Sequence, residues 1–189
     1  MNNPAISNLV ISLGAMQVAR KIPMDDPKII NYLRIGYVAS QVISLAIYYF
    51  ITLKIRRKND LTVLKYVNPA PPMNPDAKPE LVQTTVKDYD LAEVGKAIKS
   101  LLSLAFMAFL HGYLKYTQPL FIQGLMGLKS TLESNPAKLH IFGKKAEGDL
   151  ARPFKAGGGL LESLTGKASG PQTDAASIKA AEKAGGKSE

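Results

Sequence analysis

The sequence predicts an all-α membrane protein with about three transmembrane helices, the first two forming a hairpin. Two observations carry this prediction. Apolar residues are concentrated in three blocks, at residues 5–19, 29–53 and 101–114. The last third of the chain is rich in glycine, lysine and alanine instead, which favours a disordered basic C-terminal tail. Between the third block and this tail, residues 120–132 predict an amphipathic or re-entrant helix.

The first two blocks predict the hairpin. Residues 5–19 would form a helix of about 22 Å, which is short against a bilayer core of about 30 Å. A tight connection follows, in which Asp25 or Asp26 can cap the next helix and Pro27 suits its first turn. The second helix is expected to run to about Arg57. Helices joined by so short a loop pack antiparallel.

Four segments are expected along the chain. They are the N-terminal transmembrane hairpin at residues 1–57, a polar, proline-rich loop at 58–90, the third transmembrane helix with the amphipathic or re-entrant helix at 91–134, and the basic, largely disordered tail at 135–189.

The proline-rich loop ends in a short β-prone stretch. Residues 81–86 can pair with residues 61–67, although two short strands alone are marginal. Asp88 or Asp90 is then expected to cap a long helix that begins near Leu91.

A polar stripe crosses the most apolar segment. Residues 35–53 carry no charge, yet polar side chains recur at spacings of three and four along one face, at Arg34, Tyr37, Gln41, Ser44 and Tyr48. Buried polar groups cost free energy without partners, so this face is expected to meet other helices, water or a client. The third block carries a second stripe, which includes Ser103 and His111. His111 lacks a nearby carboxylate in its block, which favours a helix–helix hydrogen bond over a proton relay.

Basic side chains cluster after the second apolar block and in the tail, and the net charge is +9. Such clusters hold a helix end at a membrane face, or bind anionic headgroups or nucleic acid. The candidates for ribosome or headgroup contact are Arg56, Arg57, Lys58, Lys144, Lys145, Arg152 and Lys155.

Catalytic signatures are missing from the sequence. There is no cysteine, and only two histidines, and no nucleophile elbow, zinc-protease helix, P-loop or dinucleotide fingerprint is present. We therefore expect no enzyme, no metal site and no cofactor.

Six stretches of the sequence, which keep their order along the chain, resemble a fungal ER membrane protein family. This family is known as inorganic phosphate transport protein eighty-eight, and also as component three of the SRP-independent (SND) targeting pathway. They are DPKIINYLRI (26–35), KNDLTVLKYV (58–67), QTTVKDYDL (83–91), LKYTQPLFIQ (114–123), LHIFGKKAEGDLARPFKA (139–156) and GPQTDAASIKAAEKAG (170–185).

The resemblance implies a multi-pass ER membrane protein that helps deliver or insert membrane and secretory precursors. It implies partners among Sec translocon subunits, the ribosome and its RNA, other SRP-independent targeting components, nascent membrane proteins and membrane lipids. In that role, the two polar stripes would face a client or a partner.

Two other functions stay open. One is phosphate transport, or an accessory role in it, with Arg34 as the anion ligand. The other is a purely structural translocon subunit whose polar stripes are helix-packing faces. The topology is also open, and a basic tail that meets ribosomal RNA favours a cytosolic C-terminus.

Overall fold

A computed structural model describes residues 4–23, 26–68, 79–113, 118–154 and 171–185, with side chains outside residues 4–6, 103–113, 118–119 and 184–185. The described chain is mostly helical. Its elements are α1 (Pro4–Lys21), α2 (Pro27–Lys58), β1 (Val63–Asn68), β2 (Glu80–Thr85), α3 (Val86–Tyr113), α4 (Gln118–Glu133), α5 (Asn135–His140), a 3₁₀ turn (Gly148–Leu150) and α6 (Ala175–Gly185).

The start of α2 confirms the predicted cap, whereas the hairpin of α1 and α2 stays a prediction. The Lys28 N–H donates to Asp26 Oδ1 at 2.8 Å, so Asp26 caps α2, with Pro27 as its first residue. The helix ends at Lys58, and Asn59 follows with a φ of +46°. Asparagine tolerates this left-handed conformation, which lets the Asn59 N–H donate to the Ile55 carbonyl at 3.1 Å.

An antiparallel strand pair shows that the all-α class is wrong for residues 63–68 and 80–85. β1 and β2 pair from Val63 opposite Thr85 to Asn68 opposite Glu80. Gln172 extends the pairing, because it exchanges two backbone hydrogen bonds of 2.9 Å with Val67. α6 also packs against both strands, so the pair does not stand alone.

The third helix begins earlier than residue 91, at Val86. Thr85 caps it: the Asp88 N–H donates to Thr85 Oγ1 at 3.1 Å, and Thr85 Oγ1 donates to Asp88 Oδ2 at 2.7 Å. The first bond is that of a capping box, but the Asp88 carboxylate accepts from the Thr85 hydroxyl and not from its backbone N–H. The prediction of Asp88 or Asp90 as the cap is therefore wrong, and Asp90 lies buried within the helix.

α4 confirms the helix predicted for residues 120–132, whereas the expected disordered tail is wrong over much of its length. Residues 135–154 contain α5 and the 3₁₀ turn. Residues 171–185 contain α6, where the Ser177 N–H donates to Asp174 Oδ2 at 2.8 Å as a helix cap. Residues 155–170 of the predicted tail lie outside the described residues.

The chain divides into two compact units. The first unit comprises Met1–Leu53 and Val94–Lys138, and the second comprises Lys54–Glu93 and Leu139–Glu189. Within the described residues, α2 is the one helix that is long and apolar enough to cross a membrane. Three crossings therefore stay a prediction.

Candidate functional site

In the first unit, α2 buries its polar face and exposes its apolar face. Tyr37, Ser44 and Tyr48 of the predicted stripe are buried, whereas Val42 is 59% exposed and Ile35 is 65% exposed. Soluble monomers rarely expose large continuous apolar surfaces. An outward apolar face and an inward polar face are the arrangement expected of a helix in lipid with packed neighbours.

A glycine on α4 allows close packing against the buried face of α2. A Cβ atom at Gly124 would lie 3.4 Å from Ser40 Oγ and 3.5 Å from Tyr37 Cδ2. Tyr37 also packs on Leu120, one helical turn before Gly124. Ser40 satisfies its own hydroxyl by donating to the Tyr37 carbonyl at 2.7 Å. The first part of the stripe is therefore a helix-packing face.

Two atoms of the stripe are buried without a hydrogen-bond partner in the described part of the chain. They are Gln41 Oε1 and Ser44 Oγ, and Ser44 is only 1% exposed. The Gln41 amide nitrogen lies near Gly127 of α4, 3.8 Å from where a Cβ atom would stand. An unpaired buried oxygen costs about 1–3 kcal/mol, so this region is poised to accept a donor.

A partly open cavity of about 500 Å³ in the same unit is lined by both polar and apolar side chains, with apolar Leu101 and Met126 among them. α1 contributes Asn8, α2 contributes Tyr48, α3 contributes Ser100, and α4 contributes Ser130 and Thr131. α1 packs against α4, and Lys129 Nζ joins the two by donating to Asn8 Oδ1 at 2.6 Å. The cavity therefore offers several hydroxyl and amide groups within a unit whose surface carries many exposed apolar side chains.

The predicted stripe residues differ in where they lie. Tyr48 lines the cavity, and Gln41 is half-buried against α4. Arg34 is exposed beside apolar Ile35 and Val38. The side chains of Ser103 and His111 lie outside the described residues. The α4 contribution was not predicted, although Ser130 and Ser134 repeat at helical spacing in the sequence.

In the second unit, a buried carboxylate organises a basic surface. Asp90 is 2% exposed, and it accepts hydrogen bonds from Arg152 Nε at 2.6 Å and Arg152 Nη2 at 2.7 Å. His140 Nε2 lies 2.8 Å from Asp90 Oδ2. The pair of bonds from one guanidinium fixes its plane, and the histidine holds the second oxygen from another side.

An aromatic cluster lies next to Asp90 in the chain. Tyr89 packs edge-on against Tyr66 and Phe154, with ring centroids 5.8 and 5.4 Å apart. The Phe154 N–H donates to Tyr89 Oη at 2.7 Å. Tyr89 thus lies in the aromatic cluster, and the next residue of α3, Asp90, binds Arg152. These two contacts hold both ends of residues 152–154 against α3.

Burial and hydrogen bonding shift the acidities in this cluster. Burial by itself raises the pKa of Asp90, but the hydrogen bonds from His140 and Arg152 and the charge of Arg152 hold the pKa below its usual range. Burial raises the pKa of Tyr89, although the hydrogen bond from Phe154 acts in the opposite direction. Asp90 is therefore an anion at neutral pH and Tyr89 is neutral.

The predicted basic residues fall into three groups. Arg56, Arg57, Lys58, Lys144 and Lys145 are exposed. Arg152 is largely buried and paired with Asp90. Lys155 lies outside the described residues. Asp90 and His140 were missed as members of a site, because their partners are 50 and 62 residues away along the chain.

The comparisons with known proteins agree over nearly the whole chain. The family described as "Phosphate transport (Pho88)" matches residues 1–188. The chain is 49% identical to the SRP-independent targeting protein 3 of Saccharomyces cerevisiae, covering 97% of this chain and 96% of that protein. It is 36% identical to the SRP-independent targeting protein 3 homolog of Schizosaccharomyces pombe, with 94% of each covered. No solved structure matches. The chain therefore belongs to the Pho88 family, which confirms the resemblance carried by its loop sequences.

Proposed function

We propose that this protein is a multi-pass ER membrane component of SRP-independent protein targeting, which assists membrane-protein insertion at the ribosome and the Sec translocon. Membership of a family whose relatives are named as targeting proteins supports the targeting role. One structural observation carries the insertion step. It is the partly open cavity of the first unit, where hydroxyl and amide groups lie within a unit that exposes many apolar side chains.

The cavity gives the insertion step a physical basis. Moving a polar flank of a nascent protein through hydrocarbon costs several kcal/mol for each charged or unpaired group. Hydroxyl and amide groups at Asn8, Ser100 and Ser130 offer hydrogen bonds within the first unit. The cavity has the volume of roughly 15 water molecules. A hydrated space of this size lowers the barrier for a short polar segment.

The exposed basic residues of the second unit support the ribosome contact. Arg56, Arg57, Lys58, Lys144 and Lys145 carry five positive charges on its surface. Contacts between such groups and RNA phosphates release counterions, so ribosome binding would weaken steeply with added salt.

Phosphate transport is the alternative that the family description raises. The structure favours it less, because the one charged side chain among the described cavity residues is Glu133, an anion. Arg34, the anion ligand that this alternative requires, lies instead beside the exposed apolar residues of α2. Glu133 is paired with Lys129, and no cation is among the described residues that line the cavity to bind a phosphate ion.

The test is site-specific photo-crosslinking in native ER membranes. A photoreactive residue replaces Ser130, which lines the cavity, or Val42, which lies on the apolar face, as the matched control. We expect Ser130 to form an adduct with nascent membrane protein only when ribosome-bound chains are present, and Val42 to form adducts with lipid.

A constant adduct of Ser130 with one membrane subunit, independent of translation, would contradict the insertion step. That result would make the protein a structural translocon subunit. A third variant, with the photoreactive residue at Gln41, reports whether α4 separates from α2 when a client arrives.

A further inference from the structure

A second cavity, of about 400 Å³, lies in the second unit, and five of its eight described lining residues are lysine or arginine. The end of α2 contributes Lys54 and Lys58, and the loop after α5 contributes Lys144 and Lys145. Arg152 and His140 complete the polar lining, and no carboxylate is among the described lining residues. The volume falls within the usual range for small-molecule sites.

The walls of this cavity are held in place by contacts beneath them. Arg152 and His140 are both bound to buried Asp90. Arg152 donates to Asp90 from Nε and Nη2. The other N–H donors, on the Nη1 side of the guanidinium, are not used by Asp90. Lys54 Nζ donates to the His140 carbonyl at 3.0 Å, which ties the end of α2 to the end of α5.

The loop that carries the other two lysines is shaped by glycine at both ends. Gly143 and Gly148 adopt φ values of +63° and +59°, which favour residues without a Cβ atom. Lys144 and Lys145 are exposed, and the described residues give neither an ion pair. The side chain of Lys58 is 63% exposed and has a weak partner in Asp60 at 3.6 Å.

So many positive charges around one cavity favour the binding of an anion. Like charges packed around one small space repel each other, and a bound anion converts that repulsion into attraction. Lysine and arginine together suit phosphate, which offers several oxygens to donors arriving from different directions. A terminal phosphate monoester is the strongest match, since it carries a charge near −2 and three free oxygens.

The position of Lys54 on α2 indicates the source of that phosphate. Residues 35–53 of the helix carry no charge, and Lys54 is the next residue, followed one turn later by Lys58. Basic residues that directly follow an apolar span lie at the depth of lipid phosphates. We propose that this cavity binds the phosphate monoester headgroup of an anionic membrane lipid, of the phosphatidic acid type.

The test is calorimetric titration of the purified full-length protein in detergent with dioctanoyl phosphatidic acid, dioctanoyl phosphatidylcholine and inorganic phosphate. The pocket variant is Lys144→Gln with Lys145→Gln. Its matched control is Lys179→Gln with Lys183→Gln, which removes the same charge from exposed positions on α6 outside the cavity. Both variants change only exposed side chains, and hydrogen exchange of β1 checks that each is folded.

We expect saturable binding of the phosphatidic acid, about tenfold or more weaker in the pocket variant, because that variant removes two charged donors to the phosphate. The control should stay within about threefold, and phosphatidylcholine should bind far more weakly. Equal losses in both variants would overturn the pocket in favour of diffuse attraction, such as that for RNA. Inorganic phosphate binding as tightly as the lipid would overturn the lipid as the source. None of these outcomes depends on crosslinking at Ser130. The lipid proposal and the insertion proposal are therefore tested independently of each other.

Discussion

The two units differ in which side chains they bury and which they expose. In the first, α2 turns Tyr37, Ser44 and Tyr48 inward and leaves Val42 exposed. In the second, Tyr66, Tyr89 and Phe154 form an aromatic core. The hydrophobic effect explains both arrangements if the second unit lies in water and the first unit lies partly in lipid. Apolar side chains leave water in the second unit, whereas the first unit has an apolar surface suited to lipid.

The units also differ in how their buried polar atoms are satisfied. Asp90 has three close contacts from Arg152 and His140. Gln41 Oε1 and Ser44 Oγ have no partner in the described part of the first unit. A fully paired carboxylate makes a rigid scaffold, whereas unpaired oxygens mark a place where another polar group can enter.

The largest expected effect comes from breaking the charge network of the second unit. Asp90→Asn should destabilise that unit by about 3–5 kcal/mol, because it leaves the Arg152 charge buried without a counterion. Faster hydrogen exchange across β1 and β2, with little change in α2, would show it. The matched control is Asp149→Asn, at an exposed position of the 3₁₀ turn. Equal protection in the two variants would show that the network contributes little.

Acid should weaken the same unit. The pKa of Asp90 is lower in the folded protein than in the unfolded chain, so its contribution is present at neutral pH and is lost as the pH falls below about 4. Hydrogen exchange or tyrosine fluorescence, followed from pH 7 downwards, measures this loss. The Asp90→Asn variant should show a flatter profile, with the residual slope arising from Asp60 and Asp174, whose pKa values are also lowered. An unchanged slope would assign the acid sensitivity to other groups.

Two equally exposed apolar residues test whether the solvents differ. Val42 in the first unit and Leu61 in the second are each 59% exposed. Val42→Lys should oppose membrane integration by about 2.5–3.5 kcal/mol, the cost of lysine at a helix centre in lipid. Leu61→Lys should be nearly neutral if the second unit lies in water, because exposed substitutions there cost little. Glycosylation-tag reporters of membrane insertion would measure both, and equal tolerance would mean that the Val42 face does not meet lipid.

A smaller effect is expected from crowding the close approach of α4 to α2. Gly124→Leu would force atoms beyond the Cβ into Tyr37 and Ser40, at a cost of about 1–3 kcal/mol. Gly36→Leu is the control, because a Cβ there meets nothing within 4 Å and the gain in helix propensity is the same. Thermal unfolding in detergent should separate the two variants. A lower melting temperature for Gly36→Leu than for Gly124→Leu would contradict the packing described here.

The smallest effect concerns the contact of α6 with the sheet. Lys65 Nζ and Glu182 Oε1 are 3.7 Å apart, and both side chains are more than 40% exposed. Glu182→Gln should therefore cost at most about 1 kcal/mol, and less at high salt. Hydrogen exchange of α6 at low and high salt measures it, with Glu147→Gln as an exposed control. A large, salt-independent loss would show that Glu182 has another role.

Local rules predicted the helices well and the long-range contacts poorly. Asp26 with Pro27 fixed the start of α2, and apolar periodicity located α4. The start of α3 was misjudged because Thr85 supports the cap and Asp90 is used in tertiary contacts. Arg152 resembled a surface cation because its partner is 62 residues away. The glycine- and lysine-rich tail resembled a disordered segment, yet Gln172 and α6 find the sheet as a partner.

The two hydrogen bonds between Val67 and Gln172 have a consequence for self-association. A two-stranded sheet has open edges, and an open edge invites pairing with another chain. Gln172 covers part of the outer edge of β1, because it pairs with both the backbone N–H and the carbonyl of Val67 on the side away from β2. A chain shortened at residue 170 would expose this edge and also lose the cover of α6. Such a protein would tend to dimerise or aggregate through β1 even though every charged residue of the basic cavity remained.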